Sequence, residues 1–130
     1  MQIKKDTRTH YERIGGETVI RLLCERFYRN MDELPQARAL RALHPPDLSG
    51  ARETLYEYLV GWMGGPPLYA ARKGPPRLRH KHLPFAIGDA ERDAWMQCMT
   101  LALQSAVADA ALREQLQGAF FKVASFLRNR

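Results

Sequence analysis

The spacing of apolar residues between Glu17 and Met31 constrains this chain more than any other feature. Ile20, Leu23, Cys24, Phe27, Tyr28 and Met31 fall three, one, three, one and three positions apart, which gathers them on one face of an α-helix. Arg21, Glu25, Arg26 and Arg29 fall largely on the other side. A strand changes face at every residue and would split the same set in two. The helical period returns in Ala51, Leu55, Tyr58, Leu59 and Trp62, then in Ala94, Trp95, Cys98, Met99, Ala102 and Ala106. A last stripe runs through Leu112, Leu116, Ala119, Phe120, Val123 and Phe126. β-Branched residues are few. The chain is expected to be all-α, with five or six helices.

Glycine and proline punctuate the pattern. Gly15-Gly16 separates a short turn at residues 11–14 from the helix that starts at Glu17. Pro35 suits the first turn of a short element whose inner face is Ala37, Leu40 and Leu43, and His44-Pro45-Pro46 ends it. Asp47 or Ser49 is placed to cap the next helix, and Gly64-Gly65-Pro66-Pro67 stops it. Residues 66–78 read as loop. Gly88-Asp89 opens a long helix, and the last is expected over residues 111–127. Residues 1–130 are read as one domain, with residues 1–10 a loose N-terminal extension.

A chain of 130 residues can build a core without disulfide or metal staples. Its two cysteines, Cys24 and Cys98, sit in apolar stripes and read as buried free thiols. The first residues lack the apolar run of a signal peptide, and no stretch is apolar for long enough to span a bilayer. A cytoplasmic protein is expected. The formal charge of +6 favours anionic partners or anionic cofactor groups. The positive residues are nevertheless spread out, apart from Arg72–Lys81. No zinc-finger spacing and no aromatic-interleaved RNA-binding signature accompany them, so a nucleic-acid partner is not expected. A glycine-rich phosphate loop and a Gly-x-Ser-x-Gly nucleophile motif are both absent.

Reactive side chains concentrate in one stretch, Arg77-Leu78-Arg79-His80-Lys81-His82-Leu83-Pro84-Phe85-Ala86-Ile87-Gly88. Pro84 limits a helix around His82 to about one turn. His80 and His82 then point about 200° apart, so only one of them can face a buried group. His82, beside Leu83 and Phe85, is the inward candidate. Neutral imidazole is a common metal ligand, and haem iron is often held by one proximal histidine; a purely structural role is the other reading. Arg77, Arg79, Lys81 and Tyr69 suit a cofactor with an apolar body and acidic edges, such as haem with its propionates, or else form a solvated basic loop. Tyr28 and Trp95 each bring one hydrogen-bond donor to an apolar face. Such donors, when buried, take a backbone carbonyl or a polar ligand as partner. His44 either faces a pocket or ends a helix in solvent. His80-Lys81-His82 alone offers too few ligands for a zinc site.

Several blocks together resemble the group II truncated haemoglobins, the bacterial subgroup often labelled O. They are Phe27-Tyr28, Asp47-Leu48-Ser49-Gly50-Ala51, Gly64-Gly65-Pro66, Arg77 through Phe85, Ile87-Gly88 and Glu91-Arg92-Asp93-Ala94-Trp95. The resemblance spans about residues 11–127 and implies a shortened globin, two helices sandwiched on two around haem b. By position it implies His82 as proximal iron ligand and Tyr28 and Trp95 as distal donors. It places Lys81 on a propionate, Ala51 at the distal entrance, Leu55 over the haem and Phe27 among the cofactor contacts. His44 is a departure, standing where relatives often carry tyrosine or phenylalanine. A histidine there can donate to a bound ligand, relay a proton, or reach the iron.

The resemblance also implies binding of oxygen, nitric oxide, carbon monoxide and other small ligands. Two donors on bound oxygen slow its release, so bulk oxygen transport is not expected. Redox detoxification is: nitric oxide dioxygenation served by a separate, unidentified reductase, or peroxidase-like chemistry with His44 as proton relay. The alternative is a non-catalytic oxygen or sulfide sensor or ligand store. A basic helical nucleic-acid binder without haem would leave Tyr28, Trp95 and His82 unrelated. A monomer or homodimer is expected.

Overall fold

Helices follow one another in the order α1 (His10–Ile14), α2 (Glu17–Glu33), α3 (Arg38–Ala42), α4 (Ser49–Trp62), α5 (Leu68–Lys73), α6 (Leu78–His82), α7 (Asp89–Ala106) and α8 (Ala110–Phe126). A 3-10 turn at Pro35–Ala37 leads into α3. The structure is a computed structural model that describes residues 7–130, and no strand occurs among the described residues. The four long helices fall where the apolar stripes predict them.

Helix α2 is central. Every residue of its stripe, from Ile20 to Met31, is buried. Each such aliphatic or aromatic side chain contributes about 1.5–3 kcal/mol relative to leaving it in water. The helix packs on both α7 and α4, while α7 packs on α8. Cys98, Met99, Ala102 and Leu103 of α7 and Leu112, Leu116 and Phe120 of α8 complete the core. Among the described residues no helix is long and apolar enough to cross a membrane.

Helix α4 behaves differently from its stripe. Leu59 is fully buried, but Ala51, Leu55, Tyr58 and Trp62 are only partly so. They line an internal cavity, while Tyr56, Glu57 and Val60 are buried away from it. Glu57 is 4% exposed, and a carboxylate so placed needs a cation or donors. Arg72 supplies the cation at 3.1 Å.

Arg72 belongs to α5, which corrects the expected loop over residues 66–78. Its prolines flank Leu68–Lys73 without interrupting that run, whose residues are mostly good helix formers. Lys73 Nζ also donates to Thr54 Oγ1 at 3.0 Å, and Tyr69 meets Tyr58 edge-on, so α5 is pinned along α4.

The turn after α4 receives the start of the chain. Tyr11 N–H donates to the carbonyl of Met63 at 2.8 Å. A side chain at Gly65 would meet the Tyr11 ring at 2.6 Å, and Gly64 adopts φ +98°, where only glycine is unstrained. Thr9 caps α1 in a reciprocal capping box with Glu12. Thr9 and His10 are therefore not part of a loose extension, and residues 1–6 of that expectation lie outside the described residues.

Two further expectations change. Neither Asp47 nor Ser49 is the N-cap of α4; Leu48 is, and Asp47 accepts the N–H of Ser49 at 2.9 Å instead. Phe126 is 58% exposed. Six positions beyond Phe120, it lies roughly 120° round a 3.6-residue helix from the buried face. Cys24 and Cys98 are free and buried, and burial pushes their thiols up to about 12 and about 11.

Two outcomes follow from this packing. Gly65→Ala is expected to cost about 1–3 kcal/mol by driving a methyl group into Tyr11. Gly118→Ala, where an added Cβ meets nothing, is expected to be neutral or stabilising; equal melting temperatures for the two variants would contradict the close approach. Both thiols are expected to ignore a small disulfide reagent at pH 8 until denaturant is added, and one rapidly titrating thiol in the native chain would refute their burial.

Candidate functional site

The cavity beside α4 has a volume of about 430 Å³, within the range of about 300–1,000 Å³ typical of small-molecule and cofactor sites. One wall is α6. This single turn starts at Arg77, whose backbone is left-handed (φ 44°, ψ 49°), and stops before Pro84. His82 lines the cavity, and His80 is exposed. His82 Nδ1 lies 2.5 Å from the carbonyl of Leu78, one turn earlier. A carbonyl only accepts, so Nδ1 carries the proton and Nε2 keeps its lone pair. The same device orients metal-bound histidines and raises their basicity.

The segment after His82 is held from the far end of the chain. Asn129 Nδ2 donates to the carbonyls of His82 (3.2 Å) and Phe85 (2.9 Å), and its Oδ1 accepts the N–H of Ile87 at 2.9 Å. Sequence reasoning missed Asn129. Its partners lie more than forty positions away, and a polar residue beyond a helix end gives no periodic signal.

Tyr28, Trp95 and His44 also line the cavity. Tyr28 is 6% exposed, and burial pushes its phenol well above the ordinary range, so it stays a protonated donor. Its hydroxyl reaches only the carbonyl of Ala51, at a long 3.4 Å. The indole N–H of Trp95 has no hydrogen-bond partner among the described residues. His44 Nδ1 lies 3.0 Å from the carbonyl of Leu40, and its ring meets Tyr28 edge-on at 6.1 Å.

Phe27, expected among the cofactor contacts, does not line the cavity. It is fully buried behind the two donors, 4.9 Å from the Tyr28 ring and 5.0 Å from Trp95, and holds both in place. Ala51 and Leu55 do line it, as do Tyr58, Trp62, Leu78, Phe85, Ile87, Phe120, Val123 and Leu127.

Of the four expected propionate contacts, Lys81 and Tyr69 reach the cavity and are hydrogen-bonded to each other. Arg77 and Arg79 do not. Arg77 is exposed at the start of α6, and Arg79 donates to the carbonyl of Phe126 at 3.0 Å with its guanidinium over that ring. Arg92 lines the cavity unforeseen, but its guanidinium already pairs with Asp93 and Asp89.

This donor set fits haem. The body of the cavity is apolar and aromatic, one rim carries an ammonium and a phenol, and a tautomer-fixed imidazole presents Nε2. No group of three or more His, Cys, Asp or Glu side chains gathers into a metal site among the described residues. A single imidazole suits a metal that brings its other ligands with it, as haem iron does.

Comparison with known proteins agrees. The family model described as bacterial-like globin matches residues 9–129. The group 2 truncated hemoglobin YjbI of Bacillus subtilis is 36% identical over 108 residues, covering 83% of this chain and 79% of that protein. The solved group II 2-on-2 hemoglobin from the plant pathogen Agrobacterium tumefaciens superposes with a TM-score of 0.92 at 42% identity, covering 98% of each chain. A cold-adapted truncated hemoglobin from the Antarctic bacterium Pseudoalteromonas haloplanktis gives 0.92 at 40% identity, over 95% of this chain and 99% of that one. The all-α class expected from the apolar stripes and the two-on-two globin architecture implied by the resemblance are thus the observed ones, and the chain belongs to the bacterial-like globin family, in its group II truncated haemoglobin branch.

Proposed function

We propose that this protein holds haem b through His82 and uses it in redox detoxification, with nitric oxide dioxygenation as the first reading. Family membership carries the coarser statement, that the protein binds haem and small diatomic ligands such as oxygen. The finer reading rests on one observation. Two protonated donors, Tyr28 with its long bond and Trp95 with none, share a cavity with the free Nε2 of His82.

Haem bound there supplies an iron that takes diatomic ligands and the one electron that, with nitric oxide and oxygen, makes nitrate; an external reductase returns that electron. The chain does the rest. The Leu78 carbonyl keeps His82 in the tautomer that ligates. Lys81 and Tyr69, bonded to each other at the rim, would hold the acidic edges of the group. Leu55 and Val123 give the cavity an apolar wall that would pack against the body of the group. Tyr28 and Trp95 would donate to a polar ligand held in the cavity. A hydrogen bond to a charged acceptor is worth about 1.5–3 kcal/mol, which slows release of a polarised ligand by roughly ten- to a hundred-fold. Retention on that scale suits chemistry on the ligand better than bulk delivery.

A second reading, peroxidase-like turnover, has support in His44. With Nδ1 tied to Leu40, its Nε2 is an acceptor inside the cavity and can take a proton from a peroxide.

Absorption spectra of the haem-loaded chain test the base of this reading. His82→Ala is expected to lose or shift the Soret band while far-UV circular dichroism stays helical; an unaltered spectrum would remove His82 as ligand. Trp95→Phe keeps the ring against Phe27 and Phe120 but deletes the N–H. Stopped-flow oxygen release is then expected to accelerate about ten-fold or more, and an unchanged off-rate would exclude Trp95 as a donor.

A further inference from the structure

His44, which lines the same cavity, repeats the arrangement found at His82. In each case Nδ1 bonds to a backbone carbonyl four residues earlier, Leu40 for His44 at 3.0 Å and Leu78 for His82 at 2.5 Å. In each case the carbonyl forces the proton onto Nδ1 and leaves the lone pair on Nε2. Both rings line the same cavity.

The tautomer limits what His44 can do. A neutral imidazole with its proton on Nδ1 cannot donate from Nε2, so His44 is not a third donor to a bound ligand. No group among the described residues donates to its Nε2, and the cavity it shares with Leu40, Leu43 and Leu55 is mostly apolar. The hydroxyl of Tyr28 is turned to the carbonyl of Ala51. Nε2 is therefore free to take a Lewis acid.

The backbone around His44 is also held in place. Arg41 donates to the carbonyls of Pro45 at 2.9 Å and Pro46 at 2.8 Å, and pairs with Asp32 of α2 at 2.6 Å. This clamp fixes the residues that follow His44 to the central helix. A ring carried on such a clamped turn is preorganised, and hydrogen bonding of Nδ1 to the backbone is what orients a ligating histidine.

We infer that His44 is a second, displaceable ligand to the metal held by His82, filling the sixth position when no external ligand is present. The inference rests on the haem reading above. An internal ligand makes the site a switch. Oxygen, nitric oxide or carbon monoxide must displace His44, and the apparent rate of capture falls with the fraction of open sites.

The test uses the full chain loaded with haem, in ferric and ferrous forms without added ligand, followed by absorption and electron paramagnetic resonance. The native protein is expected to be six-coordinate and low-spin. His44→Leu, which keeps an apolar side chain of similar reach, is expected to become high-spin with an open position. If about one site in ten is open in the native chain, carbon monoxide association should rise about ten-fold in this variant. A native high-spin spectrum would overturn the inference. So would low-spin character that survives His44→Leu, or that disappears in Tyr28→Phe instead, since another side chain would then be the ligand. Failure of the native chain to take up stoichiometric haem would overturn the haem reading itself, and the coordination inference with it. Stoichiometric haem with an open sixth position would leave that reading intact and remove His44 alone.

Discussion

The hydrogen bond between His82 Nδ1 and the Leu78 carbonyl governs the cavity, because it decides which ring nitrogen keeps a lone pair. The rest of the proximal wall serves that bond. A helix of five residues cannot sustain itself in water, so the turn must be imposed from outside. Arg77 enters in the left-handed region, a conformation that costs a non-glycine residue about 1–2 kcal/mol. Its carbonyl accepts the N–H of Lys81, and the N–H of Phe85 closes on His82. Asn129 then ties three backbone groups of the following loop. The His82 ring is thus held in place although its helix is one turn long.

The opposite wall solves a different problem. A hydrogen-bond donor facing an apolar cavity must be kept from finding a partner in the protein. Trp95 has none among the described residues and Tyr28 only a long bond to the Ala51 carbonyl, and ring packing holds both in place. Phe27 touches both, and Phe120 touches Trp95 and stacks on Trp62. Aromatic contacts of this kind add about 0.5–1.5 kcal/mol beyond area burial, and they fix where the polar end points. Helix α2 can supply both core and donor because Phe27 and Tyr28 are adjacent. About 100° of rotation separates them, which leaves one buried behind and the other at the cavity edge.

Much of this is legible in the sequence, and the failures have common causes. Long helices announce themselves because period 3.6 accumulates over many residues; α1, α3, α5 and α6 are too short for that. Helix α5 was hidden by prolines that bracket it. Tyr28, Trp95 and His82 stand out as polar groups on apolar faces, yet nothing along the chain says that they share a cavity. The packing of α2 on α7 brings Tyr28 and Trp95 together, while Asn129 ties the end of α6 that carries His82. Tautomers and clamps are invisible for the same reason. They depend on which carbonyl lies near Nδ1, and on Asn129 returning across more than forty residues.

The basic stretch before His82 shows how a motif that reads as one unit divides in three dimensions. Successive residues on a helix turn by about 100°, so Arg79, His80, Lys81 and His82 cannot all serve one site. Lys81 goes to the rim beside Tyr69, and His82 to the cavity. His80 goes to solvent. Arg79 goes to the end of α8, where its bond to the Phe126 carbonyl and its place over that ring join α6 to α8. An exposed phenylalanine there becomes intelligible as a seat for an arginine rather than a defect in the apolar stripe. Charge in this segment therefore has two physical uses. One cation lies at the cavity rim, and another holds the turn that carries His82. The second use explains why a short, proline-limited helix carries more positive charge than its cavity can employ.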